Sequence, residues 1–131
     1  MVLETFASGN VMVFKTVEPI KVYRVYDSTK LDAVKSNYFM YEKPYSKTQV
    51  EVDYALGSLK GGVNTPFQNY DRVVEVEIPA GVYVHMGYAA KQTERYRGGA
   101  TQIWLEDVLI NDPAMFDWTS LGQQAELLPQ F

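Results

Sequence analysis

Arg24 is the residue of this sequence that most clearly requires a chemical partner. Alternation along the segment 21–26 places Arg24 on the same strand face as Val22 and Tyr26. Its guanidinium is permanently charged and presents a fork of donors, so on such a face it must meet a carboxylate or a ligand anion. The pattern leaves two interpretations open: a buried pair with Asp or Glu, and the binding of a phosphate-bearing small molecule.

A second group of chemically useful residues lies in the segment 97–104. Gly98 and Gly99 allow a backbone to approach a ligand closely, and the strand that follows projects Gln102 and Trp104 to one face. A plain turn and a core tryptophan explain the same residues equally well. The residues alone therefore leave a ligand site and a structural turn as alternatives.

His85 is the only histidine of the chain, and imidazole changes its charge near neutral pH. It lies beside Tyr83 on the face opposite the apolar residues of its strand, and no motif supplies an acidic partner. We therefore expect an exposed or merely hydrogen-bonded histidine. Because the chain has no cysteine and no second histidine, disulfides, thiolate metal sites and the familiar catalytic triads are excluded.

The acidic residues of the strands are also expected to be structural. Glu75 and Glu77 alternate with core valines, which indicates a solvated strand face. Glu106 shares the face of Gln102, but four residues along a strand separate them by ~13 Å, too far for both to act on one atom.

Length and composition favour one folded domain over residues 1–131. The 131 residues are 47% apolar and 14% aromatic, which is typical of a globular chain and not of a disordered one. The net charge of −4 and the pI near 4.9 argue against binding to nucleic acid or to an anionic membrane. The sequence has no run of 18 apolar residues and no signal-peptide pattern, so we expect export to be arranged by a larger parent protein.

Strand patterns dominate the chain. The segment 72–78 alternates valine and isoleucine with glutamate, and the turn residues 79–81 lead into a second alternating segment, 82–87. We expect these two segments to form an antiparallel hairpin. Segments rich in β-branched or aromatic residues predict four further short strands, at 11–16, 21–26, 38–42 and 100–106.

Helix signals are fewer, and each rests on a capping pattern. Ser46 followed by Gln49 fits a capping box, and Gly57 stands where a left-handed helix end is needed, which predicts a helix over 47–56. Ser28 predicts a short helix over 29–35.

Two further patterns concern connections between elements. Asp112 as a cap and Pro113 in the first turn predict another short helix, which continues through Ala114, Met115 and Phe116. The segment 57–70 is rich in glycine and is predicted to be a long loop.

The order of three segments resembles the small C-terminal toxin domains of bacterial polymorphic toxins, in particular the NAD glycohydrolases of the tuberculosis-necrotizing-toxin class. The segments are the strand 22–26, the strand and turn 73–81 that lead to Gly87, and the Gly-Gly-Ala-Thr-Gln run within 97–103. Together they span residues 21–106. The resemblance implies an α+β, ADP-ribosyltransferase-like fold: a mostly antiparallel, split β-sheet core with a few short helices.

The resemblance also implies roles for named residues. Arg24, on an early strand, would contact the NAD phosphates, and Gln102, after the Gly-Gly turn, would lie at the nicotinamide ribose, so these two are the catalytic candidates. Tyr26 or Trp104 would flank the nicotinamide, and Lys47 would be a secondary phosphate ligand, although a solvated lysine at a helix start is the simpler interpretation. The substrate-binding candidates are Tyr26, Tyr45, Lys47, Thr101, Trp104, Gly98 and Gly99.

Two departures from the family pattern bear on the reaction. Ala100 stands where the family often has a third glycine, which leaves Gln102 in place. Trp104 stands where mono-ADP-ribosyltransferases carry the catalytic glutamate of Glu/Gln-x-Glu. The resemblance therefore favours hydrolysis of NAD(P)+ over ADP-ribosyl transfer to a protein or nucleic acid, which is the alternative.

The resemblance finally implies a set of partners. Because nicotinamide leaves from an already cationic state, neither a metal nor a further cofactor is expected beside the substrate, NAD or NADP. A cognate immunity protein would block the cleft, and the domain would act in the cytoplasm of a target cell after delivery as part of a larger protein. A non-catalytic protein-binding domain is the alternative of a different class, because ten tyrosines suit an interface as well as a sheet core.

Overall fold

The computed structural model describes residues 11–131, which form an α+β architecture of short helices against an extended sheet. The strands are β1 (Met12–Lys15), β2 (Ile20–Tyr26), β3 (Tyr38–Met40), β4 (Gly57–Lys60), β5 (Val63–Pro66), β6 (Arg72–Ile78), β7 (Tyr83–Tyr88), β8 (Thr101–Trp104) and β9 (Glu126–Leu127). The helices are α1 (Lys47–Asp53), α2 (Asp107–Ile110) and α3 (Trp118–Gln124). No helix within residues 11–131 has the length and apolar character needed to cross a membrane.

Seven strands form one sheet in the order β1-β7-β8-β3-β2-β6-β9, and every neighbouring pair is antiparallel. The six predicted strands are confirmed to within two residues at each end. The alternation that predicted them also predicts their faces correctly, since Glu75 and Glu77 are exposed while the valines between and beside them are buried. The mostly antiparallel α+β prediction is therefore confirmed.

The predicted hairpin between 72–78 and 82–87 is wrong. Strand β6 pairs with β2 and β9, whereas β7 pairs with β1 and β8. The buried Thr16 holds the turn between them: its Oγ1 donates to the carbonyl of Pro79 at 2.8 Å and accepts from the amide of Val82 at 3.0 Å. The chain thus passes from β6, near one edge of the sheet, to β7, near the other edge, instead of forming a hairpin.

Two apolar clusters lie on the two faces of the sheet. The larger cluster joins both halves, since Val76 and Ile78 of β6 pack in it together with Val84 of β7 and Ile103 of β8. The smaller cluster lies under α1 and includes Val50. Several members of this second cluster, among them Val25, Met40 and Tyr70, line the cleft described below.

Helix α1 is shorter than predicted. The Ser46 side chain accepts from the amide of Gln49 at 3.1 Å, which confirms the cap, but the helix ends at Asp53. The left-handed residue after it is Ala55, with φ +53°, and Gly57 instead begins β4. Gly57 is needed because a Cβ there would lie 2.3 Å from the ring of Tyr96.

Two other predicted helices are turns. Ser28 caps no helix, because its amide and hydroxyl both donate to the carboxylate of Asp71, at 2.8 and 2.6 Å, and the segment 29–35 forms turns. Asp112 starts a turn over 113–115, and the helix of this region, α3, begins later with Asp117 as its cap.

The predicted loop 57–70 contains a hairpin. Strands β4 and β5 pair through a two-residue connection, Gly61 and Gly62, whose φ values are +56° and +79°. A Gly-Gly pair is among the preferred residues of such tight turns, because both positions require positive φ. The sequence signal was therefore present, but it lay within a segment whose many glycines indicated an irregular loop.

Candidate functional site

A cleft of about 380 Å³ opens where two neighbouring strands of the sheet separate. Strand β2 pairs with β6 at seven positions but with β3 at only one, Tyr23 opposite Met40. The backbone of Arg24, Val25 and Tyr26 therefore has no ladder partner on the β3 side, and the space beside it becomes the cleft. The sheet thus opens locally between β2 and β3, although the seven strands remain one hydrogen-bonded sheet.

The cleft has an aromatic and amide lining. Strands β2, β3 and β8 supply part of the lining, and the end of α1, the end of the β4–β5 hairpin and the connection after β7 supply most of the rest. The lining residues are Tyr23, Arg24, Val25, Ser36, Tyr38, Phe39, Met40, Tyr54, Ala55, Leu56, Phe67, Gln68, Tyr70, Ala90, Gln92 and Gln102. Among the described residues of this lining, Arg24 is the one charged side chain.

The Arg24 guanidinium is held by backbone carbonyls. Nε donates to the carbonyl of Val34 at 3.1 Å, one terminal nitrogen donates to Ala33 at 2.8 Å, and the other donates to Val25. No carboxylate of residues 11–131 lies within 4.0 Å of it, so the expected alternative of a buried pair with Asp or Glu is wrong. Burial lowers the pKa of Arg24 to about 10, since the charge is desolvated without a carboxylate to compensate it.

Gln102 lines the same cleft from β8. The register places it between Met40 of β3 and Gly87 of β7, and only 7% of the residue is exposed. Its position in the middle of the sheet fixes the backbone that carries the amide. Arg24 and Gln102 are thus brought to one cleft from strands that β3 separates.

Two buried tyrosines, Tyr54 and Tyr70, also line the cleft. Burial raises the pKa of Tyr54 and that of Tyr70 to about 12. The positive charge of Arg24 acts against this rise at Tyr70, whereas Glu51 and Asp27 reinforce it. Both hydroxyls therefore stay protonated at neutral pH and can serve as hydrogen-bond donors.

Three of the candidates on the sheet lie outside the lining. Tyr26 is buried in the larger apolar cluster with its ring centroid 5.9 Å from the Arg24 guanidinium carbon. Trp104 packs edge-on against His85, with 4.9 Å between ring centroids. Thr101 faces a small separate pocket of about 170 Å³ beside Tyr88.

His85 itself has an acidic partner that the sequence did not indicate. Its Nε2 lies 3.5 Å from a carboxylate oxygen of Glu106, and about a fifth of its side chain is exposed. This pair lies beside Trp104, outside the lining of the cleft.

Gly98 and Gly99 also lie outside the lining and make a backbone contact instead. Gly98 has φ +70°, and a Cβ there would lie 2.4 Å from the carbonyl oxygen of Ala89. The amide of Gly98 donates to Val52 and that of Gly99 to Ala89, both at 2.9 Å. The glycine pair therefore ties the end of α1 to the connection that carries the cleft residue Ala90.

Tyr45 and Lys47 lie at the start of α1, away from the cleft. Tyr45 is 66% exposed beside a shallow depression that also contacts Phe131. The Lys47 amide donates to the carbonyl of Pro129 at 2.7 Å, and its Nζ lies 4.0 Å from Glu51.

Several lining residues were not predicted from the sequence. Tyr54, Phe67, Tyr70 and Gln92 reach the cleft from the end of a helix, from a hairpin and from connections, where no periodic pattern marks them. The Gly61–Gly62 turn was the one usable signal, because the hairpin it closes presents Phe67 at the cleft.

The fold of this chain is shared with solved structures, although no protein-family model and no curated protein sequence matches the chain. One similar structure is Tne2 in complex with Tni2, with a TM-score of 0.63 and 16% identity over 96% of this chain and 99% of that one. Another is Tse6 in complex with Tsi6, with a TM-score of 0.52 and 13% identity over 98% of this chain and 80% of that one. At these identities the likeness establishes a common fold.

Proposed function

We propose that this chain is an NAD(P)+ glycohydrolase toxin domain with an ADP-ribosyltransferase-like fold. The observation that carries the proposal is that Arg24 and Gln102, which lie far apart in the sequence, line one cleft. Family resemblance assigns the first to the phosphates and the second to the nicotinamide ribose of NAD. An arginine and a glutamine amide held on strands of one sheet, in a cleft lined by aromatic rings, suit that substrate.

Arg24 is suited to anchor a diphosphate. It lies among tyrosines that stay protonated at neutral pH and has no carboxylate in contact to neutralise it. Burial strengthens its interaction with an anion, because water screens the charge less than it does at the surface. Tyr54 and Tyr70 supply hydroxyl donors in the same cleft.

The reaction requires little acid–base chemistry from the protein. In NAD+ the C1′–N bond breaks with its electron pair moving to the nicotinamide nitrogen, which becomes neutral and needs no added proton. The ribosyl cation that remains takes an oxygen from water at C1′, and a proton is released to the solvent. The chain's part is to hold the dinucleotide, with Gln102 orienting the ribose or the attacking water and the tyrosines providing electron-rich ring faces.

A toxin role and a protein partner belong to the same proposal. Family resemblance implies delivery within a larger protein, action in the cytoplasm of a target cell, and inhibition by a cognate immunity protein. Both similar structures hold a second protein, Tni2 with Tne2 and Tsi6 with Tse6, which supports a partner of this kind. No metal or further cofactor is part of the proposal.

Incubation of the purified domain with NAD+ tests the activity. We expect nicotinamide and ADP-ribose as products, measured by chromatography, and at least a hundredfold loss of kcat in Gln102→Ala, a scale typical of removing one preorganised polar group. Gln123→Ala, on the exposed surface of α3, is the matched control and should be unchanged. Absence of turnover by the folded wild type contradicts the proposal. Label from NAD+ that becomes attached to a macromolecule would instead identify a transferase.

A further inference from the structure

The charge of the cleft is unevenly distributed. Among the lining residues that the structure describes, Arg24 is the single cation, and it belongs to β2. A dinucleotide diphosphate carries two negative charges, whereas a 2′-phosphate on the adenosine ribose adds between one and two more near neutral pH. Recognition of that extra group ordinarily relies on a second arginine or lysine.

Four carboxylates act electrostatically on the two buried tyrosines of the cleft. Glu51 of α1 is 5% exposed, and its Oε2 accepts no hydrogen bond from the described part of the chain. Glu51 and Asp27 act electrostatically on Tyr70, and Glu42 and Asp53 act on Tyr54. Lys47 and Arg95 act on Glu51 in turn, and Lys30 acts on Asp27. An added anion beside the two tyrosines would therefore meet four carboxylates whose charge these three cations offset only in part.

The cations nearest to the lining in sequence are engaged or point to solvent. Lys91 lies between the lining residues Ala90 and Gln92, but its Nζ contacts Glu94 at 2.6 Å. Lys35, next to Ser36, is exposed to solvent. 

Two more lysines lie near carboxylates on other surfaces. Lys47 lies 4.0 Å from Glu51. Lys43 belongs to a separate pocket that it shares with Glu75 and Glu126. Neither lysine is part of the cleft lining.

We propose that this cleft selects its dinucleotide by charge and uses NAD in preference to NADP. The inference rests on the proposed function and narrows its substrate. Arg24 offsets one of the two negative charges of the diphosphate that both molecules share, and the described residues of the lining supply no second cation for the 2′-phosphate. The carboxylates around Tyr54 and Tyr70 repel that phosphate, since like charges brought together in a partly buried site are strongly unfavourable.

Steady-state kinetics with the two substrates test this inference. We expect kcat/KM for NAD to exceed that for NADP by about tenfold or more, and the ratio to shrink as salt is added, because screening weakens the repulsion. Gln92→Lys places a second cation in the lining and should raise kcat/KM for NADP relative to NAD. Gln92→Met, of similar length and without charge, is the matched control and should leave the ratio as in the wild type.

The outcomes separate this inference from the proposed function. Equal use of NAD and NADP, or a preference for NADP, overturns the charge selection while leaving the glycohydrolase proposal intact. If neither is hydrolysed, the proposed function fails, and calorimetric binding of NAD and NADP to the folded protein then decides the selection. Tighter binding of NAD upholds it, whereas equal binding, tighter binding of NADP or no binding of either overturns it.

Discussion

The backbone of Gly57 lies directly against the ring of Tyr96. A Cβ on Gly57 would be 2.3 Å from Cε2 and Cζ of that ring and 2.8 Å from the carbonyl oxygen of Thr65. Tyr96 is almost fully buried, so its ring has little room to move aside. This contact fixes the β4–β5 hairpin, which carries Phe67 to the cleft.

Gly57→Ala should therefore destabilise the protein by about 1–3 kcal/mol, the usual range for overpacking a buried contact. Urea denaturation followed by circular dichroism measures the free energy of unfolding. Gly61→Asn is the matched control: Gly61 has φ +56° and nothing within 4 Å of its Cβ position, and asparagine tolerates that conformation. Equal stability of Gly57→Ala and the wild type would show that Tyr96 yields to the new methyl group.

The hydroxyl group of Thr16 holds the turn that connects β6 with β7. Thr16→Val keeps the shape of the side chain but removes the bonds to Pro79 and Val82, leaving a carbonyl and an amide without that partner. We expect a loss of about 1–3 kcal/mol in the free energy of unfolding, the cost of unsatisfied buried polar groups. Thr16→Ser retains the hydroxyl and should recover most of the loss. A fully stable Thr16→Val would contradict this role.

The sequence predicted the strands well because each strand's pattern is local. Alternation over 72–78 depends only on adjacent residues, and the structure has β6 at those residues. The pairing of strands depends on distant residues, and there prediction failed. Thr16 binds Pro79 63 positions away, and Ser28 binds Asp71 43 positions away, so neither the crossing turn nor the lost helix cap has a local sequence signal.

In the candidate site, too, the features that depend on neighbouring residues were predicted, whereas those that depend on distant residues were not. The residue type of Arg24 and its strand face predict that its charge must meet a carboxylate or a ligand anion. The structure shows in addition that β2 separates from β3 beside Arg24. The separation of β2 from β3 follows from the order of the strands, and Tyr54 and Tyr70 reach the cleft from connections between elements. Residues near Gln102 in sequence, such as Gly98 and Thr101, consequently lie outside the cleft lining.

The buried tyrosines predict how stability depends on alkaline pH. In the folded protein Tyr54 and Tyr70 have a pKa of about 12, against the ordinary value of 10.0, so between these pH values the unfolded chain releases its protons first. Stability is therefore fully present below pH 10 and falls as the pH rises toward 12, by about 1.4 kcal/mol per pH unit for each group.

The titration of Arg24 changes the free energy of unfolding in the opposite direction, because its pKa in the folded protein, about 10, is below its ordinary value of 12.5. The native state then releases this proton first, which adds stability as the pH rises through the same range. Two tyrosines outweigh one arginine, so we expect a net fall. Tyr54→Phe and Tyr70→Phe should each flatten the slope of unfolding free energy against pH. Slopes that stay as steep as in the wild type would contradict the assignment.

Arg24→Lys separates the charge of the guanidinium from its geometry. Lysine keeps a positive charge but cannot donate from a planar fork to Ala33 and Val34 while also meeting a diphosphate. We expect KM for NAD to rise by about tenfold, a scale typical of losing one charge-assisted hydrogen bond, with a smaller change in kcat. Arg72→Lys, outside the cleft on β6, is the matched control and should leave both constants unchanged. If Arg24→Lys folds and retains the wild-type KM, the diphosphate is not anchored at Arg24.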